Sequence, residues 1–226
     1  MRILITAGPT REAIDPVRFI SNRSSGKMGF CLARVAARRG HVVTLISGPV
    51  ALRPPAKISF VPVTTAGEML AAVKRRLSRC DALIMAAAVA DWRPRCVSRH
   101  KLKKRSGPPI LHLTPTPDIL KTIALRKGAR IFIGFAAETG RLMAEARRKL
   151  KAKKLDLIVA NDVRRADAGF DVDTNRVVLL EASGMVAKLP LMTKAAVAGR
   201  ILDWLEARGL PTEAASRRRE RCVSSC

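Results

Sequence analysis

The chain has 226 residues, 48% of them hydrophobic and 27% charged, and its 43 Lys and Arg against 18 Asp and Glu give a formal net charge of +25. That length suits one domain with a substantial core, and with 4% aromatics and no Tyr the core must be built from Ala, Val, Ile and Leu. No apolar run reaches the ~18–20 residues of a membrane span, and Met1-Arg2-Ile3-Leu4-Ile5-Thr6-Ala7-Gly8 is too soon interrupted for a signal peptide, so a soluble cytoplasmic protein is expected.

Residues 2–7 form an apolar run stopped by Gly8-Pro9-Thr10, which predicts a strand and its breaker. After a polar stretch, apolar residues at 28, 30, 32, 33, 35 and 36 predict a helix over 26–39 that ends at Gly40. Strands are expected over 42–46 and 58–63. Thr65 caps a helix through Leu77, and Glu68 completes a capping box. Residues 82–88 and 131–137 read as buried strands, 141–152 as a Lys/Arg-rich helix and 155–160 as a further strand. Residues 171–189 predict a hairpin, with strands over 176–181 and 186–189 around a turn at Ser183-Gly184. A last helix spans 194–207 and stops at Gly209. The domain is expected to occupy residues 1–210, followed by a basic, disordered tail over 211–226.

Strands alternating with helices in this way predict an α/β fold: a Rossmann-like, mostly parallel sheet with helices on both faces, plus a C-terminal β-hairpin and helix. Such sheets bind ligands beyond the carboxyl ends of their strands. Here those ends are Gly8-Pro9-Thr10, Gly48-Pro49, Ala88 to Asp91, Ala136 to Thr139 and Asn161-Asp162. The long basic segment over 93–117 breaks the alternation, and loops of that length are usually functional or disordered.

Five scattered cysteines (Cys31, Cys80, Cys96, Cys222, Cys226) argue against a disulfide framework, and none has the His or Cys spacing of a zinc site, so no protein-built metal centre is expected. Lys and Arg run through the whole chain without a nucleic-acid reader motif, which disfavours a nucleic-acid partner. A positive field also concentrates anionic small molecules.

Residues 21–29, Ser21-Asn22-Arg23-Ser24-Ser25-Gly26-Lys27-Met28-Gly29, open the first long helix. Small hydroxyls and glycines there leave N–H groups to face an anion, with the helix dipole in favour. The spacing is neither G-x-G-x-x-G nor a P-loop. A Ser-capped helix with a flexible lead-in is the alternative. Asp91 ends a run of small residues at a strand end, where it suits a ligand contact or a turn equally. Lys101-Leu102-Lys103-Lys104 sits in the long loop, as a triphosphate-closing lysine or as solvated surface. No nucleophilic triad or glycosidase-type carboxylate pair is evident.

Taken together, these segments are familiar. Thr6-Ala7-Gly8-Pro9-Thr10, Asp15-Pro16-Val17-Arg18, residues 21–29 and 86–91, Lys101 to Lys104, Pro117-Asp118-Ile119-Leu120, Gly134-Phe135-Ala136-Ala137-Glu138-Thr139 and Ala160-Asn161-Asp162-Val163 occur in order at strand ends. The chain resembles the phosphopantothenoylcysteine synthetase (phosphopantothenate–cysteine ligase) family of coenzyme A biosynthesis, of the bacterial CTP-using type, from about Arg2 to Trp204.

The resemblance implies ligation of L-cysteine to (R)-4'-phosphopantothenate. The pantothenate carboxylate attacks the α-phosphate of CTP, giving an acyl-cytidylate and pyrophosphate, and the cysteine amine then displaces CMP. Mg²⁺ would bridge the triphosphate. On this resemblance Gly8, Ser24, Gly26, Gly29, Asp91, Lys101, Pro117, Asp118, Ile119, Leu120, Phe135, Lys149, Lys153 and Asn161 bind the nucleotide. Asn22, Ala87, Ala88 and Asp91 contact phosphopantothenate. Asn22 handles the acyl intermediate and Lys101 promotes its formation. Arg18 reaches into a neighbouring subunit's site, which implies a homodimer with shared sites. Thr116 stands where many bacterial relatives have Asn, and those relatives often carry an N-terminal flavin-dependent decarboxylase domain; the expectation here is either a decarboxylase as a separate protein, which could be a partner, or a sequence trimmed to the ligase part. Three alternatives stay open: the same ligation with ATP, a basic nucleic-acid-binding protein on a degenerate ligase fold, and a nicotinamide-dependent oxidoreductase, which the missing G-x-G-x-x-G disfavours.

Overall fold

The computed structural model describes residues 1–104, 110–138, 142–162 and 172–209. The chain opens with β1 (Arg2–Ala7), a hairpin of β2 (Arg11–Ala13) and β3 (Phe19–Ser21), α1 (Lys27–Arg38), β4 (Val42–Ser47), β5 (Ser59–Pro62), α2 (Ala66–Arg76) and β6 (Ala82–Met85). Next come β7 (Trp92–Pro94), β8 (Leu113–Pro115), α3 (Ile119–Ile123), β9 (Ile131–Glu138), α4 (Leu142–Ala152) and β10 (Leu157–Asp162). Last are β11 (Thr174–Asn175), β12 (Val177–Glu181), β13 (Val186–Lys188), β14 (Met192–Thr193) and α5 (Lys194–Ala207).

One sheet of eight strands organises the described residues, in the order β13-β12-β10-β9-β6-β1-β4-β5. From β5 to β10 neighbouring strands are parallel, while β12 and β13 add an antiparallel hairpin. The sheet grows from β1 in two directions, through β4 on one side and β6 on the other. That reversal opens a crevice beyond the carboxyl ends of β1 and β6, the place where doubly wound sheets bind ligands.

Successive strand residues point to opposite faces, so each strand feeds two cores. On one face Ile3, Ile5, Val43 and Leu45 pack under Phe30, Leu32, Ala33 and Ala36 of α1 and Val197, Ile201, Leu202 and Leu205 of α5. On the other, Leu4, Ile46, Leu83, Phe132 and Ile158 pack under Met69 and Val73 of α2, Ile119 and Ile123 of α3 and Ala146 of α4. Full burial of each large aliphatic side chain contributes roughly 1.5–3 kcal/mol. Burial on both faces is why these strands read as continuous aliphatic runs.

The mostly parallel sheet, the helices on both faces and the C-terminal hairpin and helix are as the sequence predicts. Thr65 caps α2 by accepting from the Glu68 N–H at 3.1 Å, while the Glu68 carboxylate accepts from Thr64 N–H at 2.7 Å, one residue before the cap. Boundaries differ in several places. The strand expected over 82–88 ends at Met85, after which Ala88 makes an isolated bridge with Pro9. The strand expected over 155–160 starts at Leu157, because Leu155 N–H bonds back to the Leu150 carbonyl at the end of α4. The long loop contains β8, which pairs with β7, and the polar stretch after β1 contains the β2–β3 hairpin. These two short ribbons adjoin each other and form an annex beside the sheet. The tail over 211–226, residues 105–109, Thr139, Arg141, Val163 and Asp171 lie outside the described residues.

Both edges of the sheet are blunted. On β5, Pro62 has no N–H to offer, and β13 is short, exposed throughout and carries Lys188. Among the described residues no helix is long and apolar enough to cross a membrane. The described cysteines Cys31, Cys80 and Cys96 are free thiols, and burial pushes the Cys80 thiol up to about 11.

Candidate active site

The floor of the crevice is set by close backbone approach. Gly26, at φ 75°, caps α1, and a Cβ there would lie 2.9 Å from the Val50 side chain and 3.4 Å from the backbone of Gly8. A Cβ on Gly29 would sit 2.5 Å from the Cβ of Ala7, so the first turn of α1 lies directly on the end of β1. The Gly26 cap makes no side-chain hydrogen bond to the helix, and no acidic residue occupies its first turn. Such a helix start favours anions. Gly8 lies under this floor and does not itself line the cavity.

Beyond β6 the backbone is held by two buried threonines. Thr6 Oγ1 accepts from Ala87 N–H at 3.2 Å, and Thr10 Oγ1 accepts from Ala90 N–H at 2.9 Å. Asn22 closes the same segment from above, its amide donating to the carbonyls of Val89 at 2.9 Å and Ala88 at 3.3 Å. Thr116 ties in the following wall, with Oγ1 donating to the Ala90 carbonyl at 2.5 Å and its N–H to the Asp91 carbonyl at 2.9 Å.

Around these groups lies a cavity of about 330 Å³, within the range of small-molecule sites. It gathers Asn22, Ser24, Gly26, Gly29, Ala87, Ala88 and Asp91 from one side of the sheet end. From the other side come the Pro117 to Leu120 turn, Phe135, Lys149, Lys153 and Asn161. Asp118 caps α3, accepting from Lys121 N–H at 3.0 Å, and pairs with Lys153 at 3.0 Å. Burial works against its charge, but the Lys121 N–H and the Lys153 ammonium outweigh it and hold the carboxyl below its ordinary pKa. The side-chain oxygen of Asn161 is buried and takes no hydrogen bond among the described residues. Such an orphaned acceptor suits a ligand donor.

Besides Gly8, two residues named from the sequence stand outside the cavity. Arg18 lies on the β2–β3 hairpin, paired with Asp15, and Lys101 is exposed on the long loop; neither lines the cavity of its own chain. The structure brings these two together instead, since Arg18 Nη2 donates to the carbonyl of Leu102 at 2.8 Å.

Other lining residues carry no sequence signal. Lys194, 4% exposed, starts α5 and donates to the Val172 carbonyl; it lines the cavity with Asn175 and with Lys27, which pairs with Asp173 at 2.7 Å. A lysine opening an amphipathic helix reads as surface, and only the docking of α5 beside α1 buries it. Thr6 and Thr10 read as strand and turn residues. Glu12 is also buried, accepting from Ala66 N–H at 2.8 Å to steady the start of α2.

The family described as DNA/pantothenate metabolism flavoprotein, C-terminal domain, matches residues 1–208. The chain belongs to it. Over 206 residues, 91% of this chain, it is 49% identical to the coenzyme A biosynthesis bifunctional protein CoaBC of Bacillus subtilis (strain 168), covering 51% of that protein. The protein of the same name from Vibrio vulnificus (strain YJ016) is 47% identical over 90% of this chain and 51% of its own length. The chain thus spans about half the length of these curated relatives. A crystal structure of the C-terminal domain of CoaBC superposes with a TM-score of 0.79 at 45% identity, covering 92% of this chain and 94% of that one.

Proposed function

We propose that this domain is a phosphopantothenate–cysteine ligase that activates (R)-4'-phosphopantothenate with CTP and then couples it to L-cysteine. The carrying observation is one cavity at the switch point of the sheet that unites Asn22, Asp91, Phe135, Lys149, Lys153 and Asn161, on a framework 49% identical to a coenzyme A biosynthesis protein.

In the first step the pantothenate carboxylate oxygen bonds to the α-phosphorus and pyrophosphate leaves. The start of α1 with Ser24, together with Lys149 and Lys153, meets the phosphates, and Phe135 and the Pro117 to Leu120 turn meet the nucleoside. In the second step the cysteine amine attacks the acyl carbon, the bond from that carbon to the phosphate oxygen breaks, CMP leaves with the electron pair, and the proton lost by the amine passes to the departing phosphate or to solvent. Asn22, Ala87 and Ala88 hold the acyl portion. Neither step needs a protein nucleophile. Positioning and charge neutralisation are enough, and both are supplied by pre-formed groups.

Among the described residues no three His, Cys, Asp or Glu cluster as a protein-built metal site. Magnesium bound mainly through phosphate oxygens needs only one or two carboxylates. Asp91 and Asp118 line the cavity, and Asp118 is already engaged by Lys153. The donor set therefore fits a Mg²⁺ that enters on the triphosphate, with Asp91 as its protein contact. When bound, the ion neutralises the triphosphate.

A homodimer completes the proposal. Arg18 lies outside its own cavity, on an annex where Val17, Phe19, Trp92 and Val97 are 58%, 47%, 53% and 56% exposed. Exposed apolar surface of this kind is characteristic of an interaction face.

The test is pyrophosphate release from purified protein with phosphopantothenate, cysteine and Mg²⁺, with CTP compared against ATP. Release that requires phosphopantothenate and prefers CTP is the expected result. Preference for ATP overturns the nucleotide, and no release with either overturns the ligase.

A further inference from the structure

Two helices begin at one corner of the cavity, and each opens with a lysine. Lys27 is the first residue of α1 and Lys194 the first of α5, and neither helix has an acidic residue in its first turn. Both lysines line the cavity, and the helices pack side by side on one face of the sheet. Each helix start carries roughly half a positive charge from its aligned peptide groups, so a cation there is unfavourable. Burial adds a second penalty at Lys194, which is 4% exposed, since buried lysines are rare.

The Lys194 ammonium donates to the Val172 carbonyl, a neutral group. A carboxylate at this corner, Asp173, pairs with Lys27 at 2.7 Å, and its side chain is 85% exposed. Lys27, through its hydrogen bond and its charge, and Lys194, through its charge, hold the Asp173 carboxyl below its ordinary pKa against desolvation. Two ammonium groups and two helix starts outweigh that one carboxylate. Such a corner suits an anion of more than one charge.

Its place in the cavity says which anion. Asn22 bonds the Ala88 carbonyl, and Ala88 bridges to Pro9, so these groups stand over β1 and β6. Asn161, at the end of β10, is in register with Val177, and Asn175, two residues earlier in the chain, lines the cavity with Lys194. Strand β9 lies between β6 and β10. Displacement at phosphorus runs in line, with the entering and leaving oxygens on opposite sides. With the pantothenate carboxylate held at the Asn22 end, the leaving oxygen faces the lysine end.

We propose that Lys27 and Lys194 are catalytic residues that seat the two outer phosphates of the triphosphate and hold pyrophosphate as it leaves. This role rests on the ligase reading. The carboxylate oxygen bonds to the α-phosphorus, the bond from that phosphorus to the bridging oxygen breaks, and the electron pair goes to that oxygen. The charge developing on pyrophosphate meets ammonium groups already in place, which lowers the barrier. A monophosphate has nothing to put there, so the corner tells CTP from CMP.

Calorimetric titration with CTP, CMP and inorganic pyrophosphate, each with Mg²⁺, tests the seat. Lys194→Met removes the ammonium and keeps an apolar stem. It should weaken CTP and pyrophosphate binding by about 10- to 100-fold, the scale of one charged hydrogen bond, and leave CMP affinity unchanged. Because it also removes a buried cation from a helix start, its melting temperature should not fall. Loss of CMP affinity in step with CTP, or a lower melting temperature with CTP affinity intact, marks a structural lysine and overturns the proposal.

Lys27→Met is the second variant, since its pair with an exposed carboxylate contributes little to stability. It must show the same selective loss, and an undiminished preference for CTP over CMP overturns the shared seat. Pyrophosphate release by the wild type, with phosphopantothenate present, tests the ligase reading separately. A working ligase whose two lysine variants keep the CTP preference loses the seat and keeps the reaction. Selective loss of CTP binding in a protein that releases no pyrophosphate sinks the ligase reading and the leaving-group role, while the phosphate seat stands.

Discussion

The cavity and the annex are built by opposite means. The cavity rests on the ends of long parallel strands whose residues are buried on both faces, and its floor is backbone against backbone at Gly29 and Ala7. The annex has strands of three residues, exposed apolar side chains and two buried carboxylates, of which Asp15 is the joint between its ribbon turn and the long loop. The first is a scaffold on which groups are fixed by the core. The second is a small polar assembly that holds two cations outside the cavity of its own chain. Affinity and shape should therefore reside in one region, and the completion of chemistry in the other.

The largest effect that would separate them is expected from Lys101→Gln. Formation of the acyl-cytidylate, followed by rapid quench, should fall by about 10²- to 10³-fold, the scale of one removed transition-state contact. The melting temperature should hold, because Lys101 is exposed and packs no core. Wild-type turnover in this variant would remove Lys101 from the mechanism.

Asn22→Asp lies at the seam between the regions. It replaces an amide that donates to Ala88 and Val89 with a carboxylate facing two carbonyls. The second step should slow by about 10²-fold, so the intermediate accumulates and can be trapped. A normal overall reaction without a trappable intermediate would take Asn22 out of that step.

Gly29→Ala probes the scaffold through its stability, although Gly29 also lines the cavity. Its new Cβ would meet Ala7 Cβ at 2.5 Å and the Thr6 carbonyl at 3.0 Å. Overpacking of this sort costs about 1–3 kcal/mol. Calorimetry should show a melting temperature lower by roughly 2–4 °C per kcal/mol for a domain of this size. An unchanged melting temperature would mean that α1 slides freely on β1, and that the floor is not rigid.

The smallest effect concerns pH. The Arg18 side chain holds the Asp15 carboxyl below its ordinary pKa, opposed by desolvation and aided by the N–H groups of Val17, Arg18 and Leu102. A carboxyl depressed in the folded state contributes stability that is fully present above the unfolded value of about 3.9. It is lost as pH falls toward the folded value. The stability gap between wild type and Asp15→Asn should stay constant from pH 8 to about pH 5 and narrow below about pH 4. A gap that widens with acid would mean that the carboxylate is not held by these donors.

Much of the cavity was legible in the sequence because parallel strands announce themselves as aliphatic runs and their ends are punctuated. Asp91 and Asn161 stand at the ends of such runs, whereas the Pro117 to Leu120 turn, Phe135, Lys149 and Lys153 are named only through the resemblance. The annex was not. A ribbon such as Arg11-Glu12-Ala13 with Phe19-Ile20-Ser21 is too short and mixed to show a period, and its pairing depends on contacts made elsewhere. Lys194 and Asn175 escaped for a related reason, since only tertiary packing tells a buried lysine from a solvated one. The resemblance named Arg18 and Lys101 as functional but did not place them on a common carboxylate, which requires Leu102 to lie beside Asp15.

The edges of the sheet bear on how the domain can live beside other folded units. Pro62 on one outer strand and the short, exposed, lysine-ended strand at the other leave little continuous backbone for a foreign strand to pair with. A neighbour tethered to this domain, or crowded against it at high concentration, would find side chains and not an open ladder. Fibril-like growth by strand addition is thereby discouraged, and contact between copies is steered toward surfaces that can close into a finite pair.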